Sequence, residues 1–146
     1  MEFNPINIFG VIIVIIMLLP NIIYGIKFKD TENKCKNKIM NIIEQIGRYA
    51  SMALMVLPLF VWEFGFSSVF IMLVYVLGNG VLLLAYLIVW IFYLRRQSRS
   101  KAMVLAIIPT GIFLLSGLTL AHWLLVVAAV LFGVGHIYVT YQNNKK

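Results

Sequence analysis

Residues 102–141 read AMVLAIIPTGIFLLSGLTLAHWLLVVAAVLFGVGHIYVTY, forty positions without one Asp, Glu, Lys or Arg. A bilayer core about 30 Å thick is crossed by about 20 apolar residues rising 1.5 Å each in a helix. The stretch is too long for one crossing and long enough for two. Its only polar and interfacial cluster near the middle is Ala121-His122-Trp123. The spacing therefore predicts helices over 102–121 and 123–141, antiparallel neighbours joined by a short turn.

Working outward, the same criterion predicts helices over 6–26, 42–62 and 67–94. The last is long, about 42 Å as a continuous helix. It must tilt, kink near Gly78-Asn79-Gly80, or project beyond the bilayer. The expected fold is a single-domain, all-α bundle of five transmembrane helices.

Composition agrees. Of 146 residues, 62% are hydrophobic and 12% charged, against about 45–50% and about 25% in soluble domains. The net charge of +7 does not imply nucleic acid, because no nucleic-acid motif accompanies it and the basic residues fall between the apolar runs. Lys27, Lys29, Lys34, Lys36 and Lys38 follow the first run; Arg95, Arg96, Arg99 and Lys101 follow the third; Lys145 and Lys146 end the chain. These are eleven of the twelve Lys and Arg residues, and five crossings put all of them on one side. Cationic residues are retained on the cytoplasmic side, so the N-terminus is expected outside and the C-terminus inside. The nine basic residues of the two loops are expected to meet anionic lipid headgroups. Trp62, Phe64, Phe66 and Trp123 then fall at the outer interface, and Trp90, Tyr93, Tyr138 and Tyr141 at the inner one, where amphipathic rings are favoured.

The first run lacks the preceding Lys or Arg of a signal peptide and is longer than its apolar core, so it reads as a retained helix. Cys35 is the sole cysteine; it excludes an internal disulfide and a paired-cysteine metal site. Between Lys34 and Lys36, on the reducing side, it reads as an inert thiol.

Chemistry is sparse. Glu44 and Arg48 lie four apart, on one helix face, with Gln45 and Tyr49 as a second polar pair. Charges in an apolar zone pair or line a wet cavity, so this segment reads either as a pocket open to the cytoplasm or as side chains snorkelling to headgroups. Asn21 and His136 are level with it by depth. His136 can shuttle protons near neutral pH or simply bond a neighbouring helix. Asn79, between two glycines, reads as a packing amide first and a solute contact second. Small residues at Gly47 and Ser51, Gly117 and Ala121, and Ala129 and Gly133 read as helix-packing faces. Pro20, Pro58 and Pro109 are candidate kinks. There is no hydrolase, P-loop, zinc-protease or dinucleotide signature, no membrane helix with two acidic residues, and nothing that implies a cofactor or metal.

The segment Leu19-Pro-Asn-Ile-Ile-Tyr-Gly-Ile-Lys27, followed by Asn33-Lys34, Asn37-Lys38 and Ile43-Glu-Gln-Ile-Gly-Arg-Tyr49, resembles a group of small, uncharacterised multi-pass membrane proteins of low-GC Gram-positive bacteria. The resemblance covers the first third of the chain and implies a bacterial plasma membrane without implying an activity.

Three functions fit these residues. The first expectation is a non-enzymatic accessory or regulatory membrane component, with a membrane-protein partner or a second copy of itself. The second is an oligomeric small-solute transporter or channel using Asn21, Glu44, Gln45, Arg48, Asn79 and His136. The third is a lipid-acting enzyme with Glu44 and His136 as acid and base. The last two require Glu44, Arg48 and His136 to converge on one cavity; the first has them on headgroups or in a packed seam.

Overall fold

The computed structural model describes residues 8–28, 36–57 and 68–144. Five helices account for almost all of them: α1 (Ile8–Lys27), α2 (Lys38–Val56), α3 (Val69–Arg95), α4 (Arg99–Thr119) and α5 (Trp123–Asn144). No strand occurs among the described residues.

Three helix starts are fixed by polar caps. Asn37 Oδ1 accepts from the Met40 N–H at 3.2 Å, Ser68 Oγ from Ile71 at 3.2 Å, and Ser98 Oγ from Lys101 at 3.3 Å, each satisfying an amide that a helix start leaves unpaired. These caps correct two expected boundaries. α2 begins at Lys38, not near 42, and α4 at Arg99, not 102. The cap residues lie upstream of the apolar runs, so each helix extends a turn into the charged segment. The expected far end of the second helix lies outside the described residues, as do Pro58, Trp62, Phe64, Phe66, Lys29, Lys34, Cys35, Lys145 and Lys146.

The α4–α5 turn falls at the Ala121-His122 break. The His122 N–H donates to Gly117 O at 2.8 Å and the Ala121 N–H to Leu118 O at 3.3 Å. This six-to-one and five-to-two pair, with Ala121 at φ 50°, is a Schellman ending. His122 is fully buried, while Trp123 is exposed.

The helices alternate in direction. Tyr24 of α1 packs against Tyr93 of α3 at 5.9 Å between centroids. Lys101 Nζ of α4 donates to Arg96 O after α3 at 2.9 Å, and Arg99 of α4 lies 4.5 Å over the Tyr141 ring of α5. The C-terminal ends of α1, α3 and α5 and the N-terminal end of α4 therefore meet at one end of the bundle, and Met40 in the first turn of α2 shares a groove with Met103 and Tyr141 there. Lys27, Lys36, Lys38, Arg95, Arg96, Arg99 and Lys101 all lie at this basic end. Of those expected to face headgroups, Arg99 and Lys101 make the intramolecular contacts just given.

α1, α3, α4 and α5 are each long and apolar enough to cross a membrane. α2 is not among them, because Lys38, Glu44 and Arg48 lower its hydropathy. Its amphipathicity is nevertheless inverted relative to a soluble helix: Glu44 and Ser51 are 4% and 0% exposed, whereas Ile39, Ile42 and Ile46 are 70%, 56% and 59% exposed.

Packing is closest along the seam between α2 and α5. A Cβ on Gly47 would collide with the Phe132 backbone, and one on Gly135 would lie 2.6 Å from the Glu44 amide nitrogen. Each glycine lets the opposing backbone approach in place of a side chain, which is how helices pack in lipid. Toward the end opposite the basic one, the core is filled by Met55, Tyr75, Ile112, Phe113, Leu120 and Leu125, each essentially without exposure.

Candidate functional site

The seam dictates where Glu44 goes. With Gly135 against its backbone, the carboxylate is held at the junction of α2 and α5. Arg48, one turn on, ion-pairs with Glu44 Oε1. From α5, His136 Nδ1 lies 3.2 Å from the same oxygen. Phe132, one turn before His136, stacks on its ring at 4.7 Å and 16°. An ionised carboxylate only accepts hydrogen bonds, so Nδ1 carries the proton toward Glu44, and Nε2 is the acceptor whenever the ring is neutral.

Arg48, His136 and Asn21 border a small cavity of about 90 Å³. Asn21 and His136 also border a larger one of about 450 Å³ toward the basic end. Tyr86 lies on the wall of both, and the Asn21 amide donates to its hydroxyl at 2.8 Å and to Met17 O at 2.8 Å. The two spaces thus share Asn21, Tyr86 and His136 as a polar floor; Arg48 borders the smaller one, and Glu44 lies behind Arg48 and His136.

Above this floor the walls are aromatic. Tyr24 packs on Trp90 at 5.5 Å, Trp90 meets Tyr93 edge-on at 5.5 Å, and Tyr86 meets Trp90 edge-on at 6.3 Å. Phe28 lies 5.0 Å from Tyr24, where α1 ends. The Trp90 indole N–H is buried without an acceptor at bonding geometry, with the Tyr86 hydroxyl nearby. Ala102 and Ala106 of α4 keep the opposite wall thin, and Thr140, Asn143 and Asn144 of α5 supply polar atoms along it. Gly25 borders the same space, and a Cβ there would meet nothing within 4 Å.

Of the six residues expected to form a pocket, Asn21, Arg48 and His136 border one space, and Glu44 is bonded to the last two without lining it. Gln45 does not join them. Its side of α2 is exposed, because a one-residue step along a helix turns a side chain about 100° away from the seam. Asn79 is also separate. Its amide donates to Ser116 Oγ of α4 at 3.1 Å, which is the helix-packing role expected first.

The aromatic wall departs from expectation. Trp90 and Tyr93, expected at the inner interface, are each only 7% exposed and line the cavity. The sequence does contain the signal. Tyr75, Asn79, Leu83, Tyr86, Trp90 and Tyr93, the buried residues of α3, recur at three- and four-residue spacing and form one inward stripe.

The described residues hold no cluster of three or more His, Cys, Asp or Glu able to bind a metal. Comparison with protein-family models, curated proteins and solved structures gave no match.

Proposed function

We propose that this chain is a five-span plasma-membrane protein, with its basic end in the cytoplasm, that binds a small solute in the aromatic cavity as a carrier. The observation that carries this reading is the convergence of Asn21, Arg48 and His136, tied by Glu44, on a small space that shares Asn21, Tyr86 and His136 with the larger aromatic cavity.

α2 counts as a span on this reading despite its charges. Its 19 residues reach about 28 Å, and Ile39, Ile42 and Ile46 face outward while Glu44 faces the bundle, the orientation that hydrocarbon surroundings require. The positive-inside tendency then sets the basic end in the cytoplasm, and basic side chains there favour anionic headgroups by about 1 kcal/mol each.

The cavity has the features of a solute site: concave, largely apolar, with a few convergent polar groups. Among the described residues a packed core lies between it and the far end, which favours a carrier over a channel. Reconstituted liposomes test the reading with radiolabelled aromatic solutes too polar to leak through lipid. The wild type should move at least one chemical class, Gly25→Leu should return its flux to that of protein-free liposomes, and Glu44→Gln should lower it at least tenfold. Flux indifferent to Gly25→Leu overturns the proposal.

The accessory-component reading keeps one observation in its favour. Glu44 is also part of a tightly packed seam, held by Gly47 and Gly135, and a structural ion pair would be found there too. It expects Glu44→Gln to weaken folding without changing any solute's binding.

A further inference from the structure

We infer that the solute class is a planar aromatic ring carrying a weakly acidic hydroxyl, a phenol or hydroquinone. This inference rests on the solute-site reading above and names the ligand chemistry of the same cavity.

Three features select it. The walls are ring faces and edges: Tyr24, Trp90 and Tyr93 meet one another at 5.5–5.9 Å. A planar ring stacks or packs edge-on against such surfaces with about 0.5–1.5 kcal/mol beyond its burial. An aliphatic solute would gain only the burial.

The floor selects the polar group. Glu44 holds His136 through Nδ1, so the nitrogen left for a ligand is Nε2, an acceptor in the neutral ring. A ligand hydroxyl donates to such a nitrogen, whereas a carbonyl, an ether or a carboxylate presents only lone pairs to it. The Tyr86 hydroxyl, which accepts from Asn21, keeps its own proton to offer the ligand oxygen.

The charge of the nearby bundle end selects against the remaining donor class, amines. Lys27, Arg95, Arg96, Arg99 and Lys101 stand at that end, and the segment leading from α1 into α2 adds Lys29, Lys34, Lys36 and Lys38 against Asp30 and Glu32, so that end is net basic by sequence, while Glu44 is already paired with Arg48. A cationic amine meets like charge on approach. A weak acid meets none, and any negative charge developing on its oxygen is favoured by Arg48 and the basic rim.

The test is binding to the purified full-length protein in nanodiscs, with empty nanodiscs subtracted, using 1-naphthol and its methyl ether as probes. The ether keeps the rings and lacks the donor. The wild type should bind naphthol at least tenfold more tightly than the ether. His136→Leu should bring the two within threefold, and Gly25→Leu, whose new side chain enters open space, should weaken both at least tenfold. Equal binding of both probes by the wild type, lost in Gly25→Leu, overturns the hydroxyl assignment while leaving the cavity as a solute site. Naphthol preference that survives His136→Leu also overturns it. Binding of neither probe, or binding unchanged by Gly25→Leu, overturns the inference together with the reading beneath it.

Discussion

Glu44 accepts from Arg48 and His136 through one oxygen while buried at 4% exposure. Truncating it leaves two polar partners facing a seam built around them. Glu44→Ala should therefore cost about 2 kcal/mol, the range for a hydrogen bond to a charged group, seen as a lower unfolding midpoint in detergent. A double-mutant cycle with His136→Ala should give a coupling of at least about 0.5 kcal/mol; additive losses would mean that the pair does not interact. Ala121 offers the opposite sign. At φ 50° it holds a backbone conformation that costs an L-residue roughly 1 kcal/mol and costs glycine little. Ala121→Gly should raise the unfolding midpoint, and a lower one would contradict the Schellman turn. The sequence put Glu44, Arg48, Asn21 and His136 at one depth, because helical spacing and distance from the span ends fix depth. It did not separate Gln45 from them, since depth says nothing about the rotation of a helix about its axis.

At the scale of elements, the glycines divide by what faces them. Gly47 and Gly135 meet backbone across the α2–α5 seam, which cannot retreat without moving a helix. Gly47→Ala and Gly135→Ala should each lose about 1–3 kcal/mol, as overpacked sites do. Gly80, where an added methyl would find nothing within 4 Å, should tolerate alanine or gain about 0.4–1 kcal/mol from the stiffer chain. Thermal unfolding of the three variants checks the contrast; equal effects would contradict the seam. The helices themselves were legible from runs of apolar residues, and the α4–α5 break from His122 and Trp123. The helix starts were less so, because Asn37 and Ser98 cap from within charged segments that a hydropathy window discounts. Trp90 and Tyr93 mislead for a related reason. Aromatic rings near a span end serve an interface or a cavity equally well, and only the stripe running from Tyr75 through Tyr86 tells which way they face.

For the whole molecule, the distribution of polarity is reversed from that of a soluble protein. Asn79, Ser116 and His122 are buried, while Ile12, Leu19, Phe70, Leu84 and Val127 stand 50–71% exposed along the outside. An apolar exterior of this extent needs hydrocarbon around it. Within that exterior, the polar floor, the aromatic walls and the basic end lie in sequence along the bundle from its middle outward. The account therefore turns on whether this space is wet and reached from the cell interior. Cys35 is the sole native cysteine, so replacing it with serine and adding Gly25→Cys gives a single thiol on the cavity wall. With a membrane-impermeant maleimide, that thiol should react in inside-out vesicles and in permeabilised cells, and stay unreacted in intact ones. Reaction in intact cells, or a thiol that reacts from neither face and only after denaturation, would contradict the account.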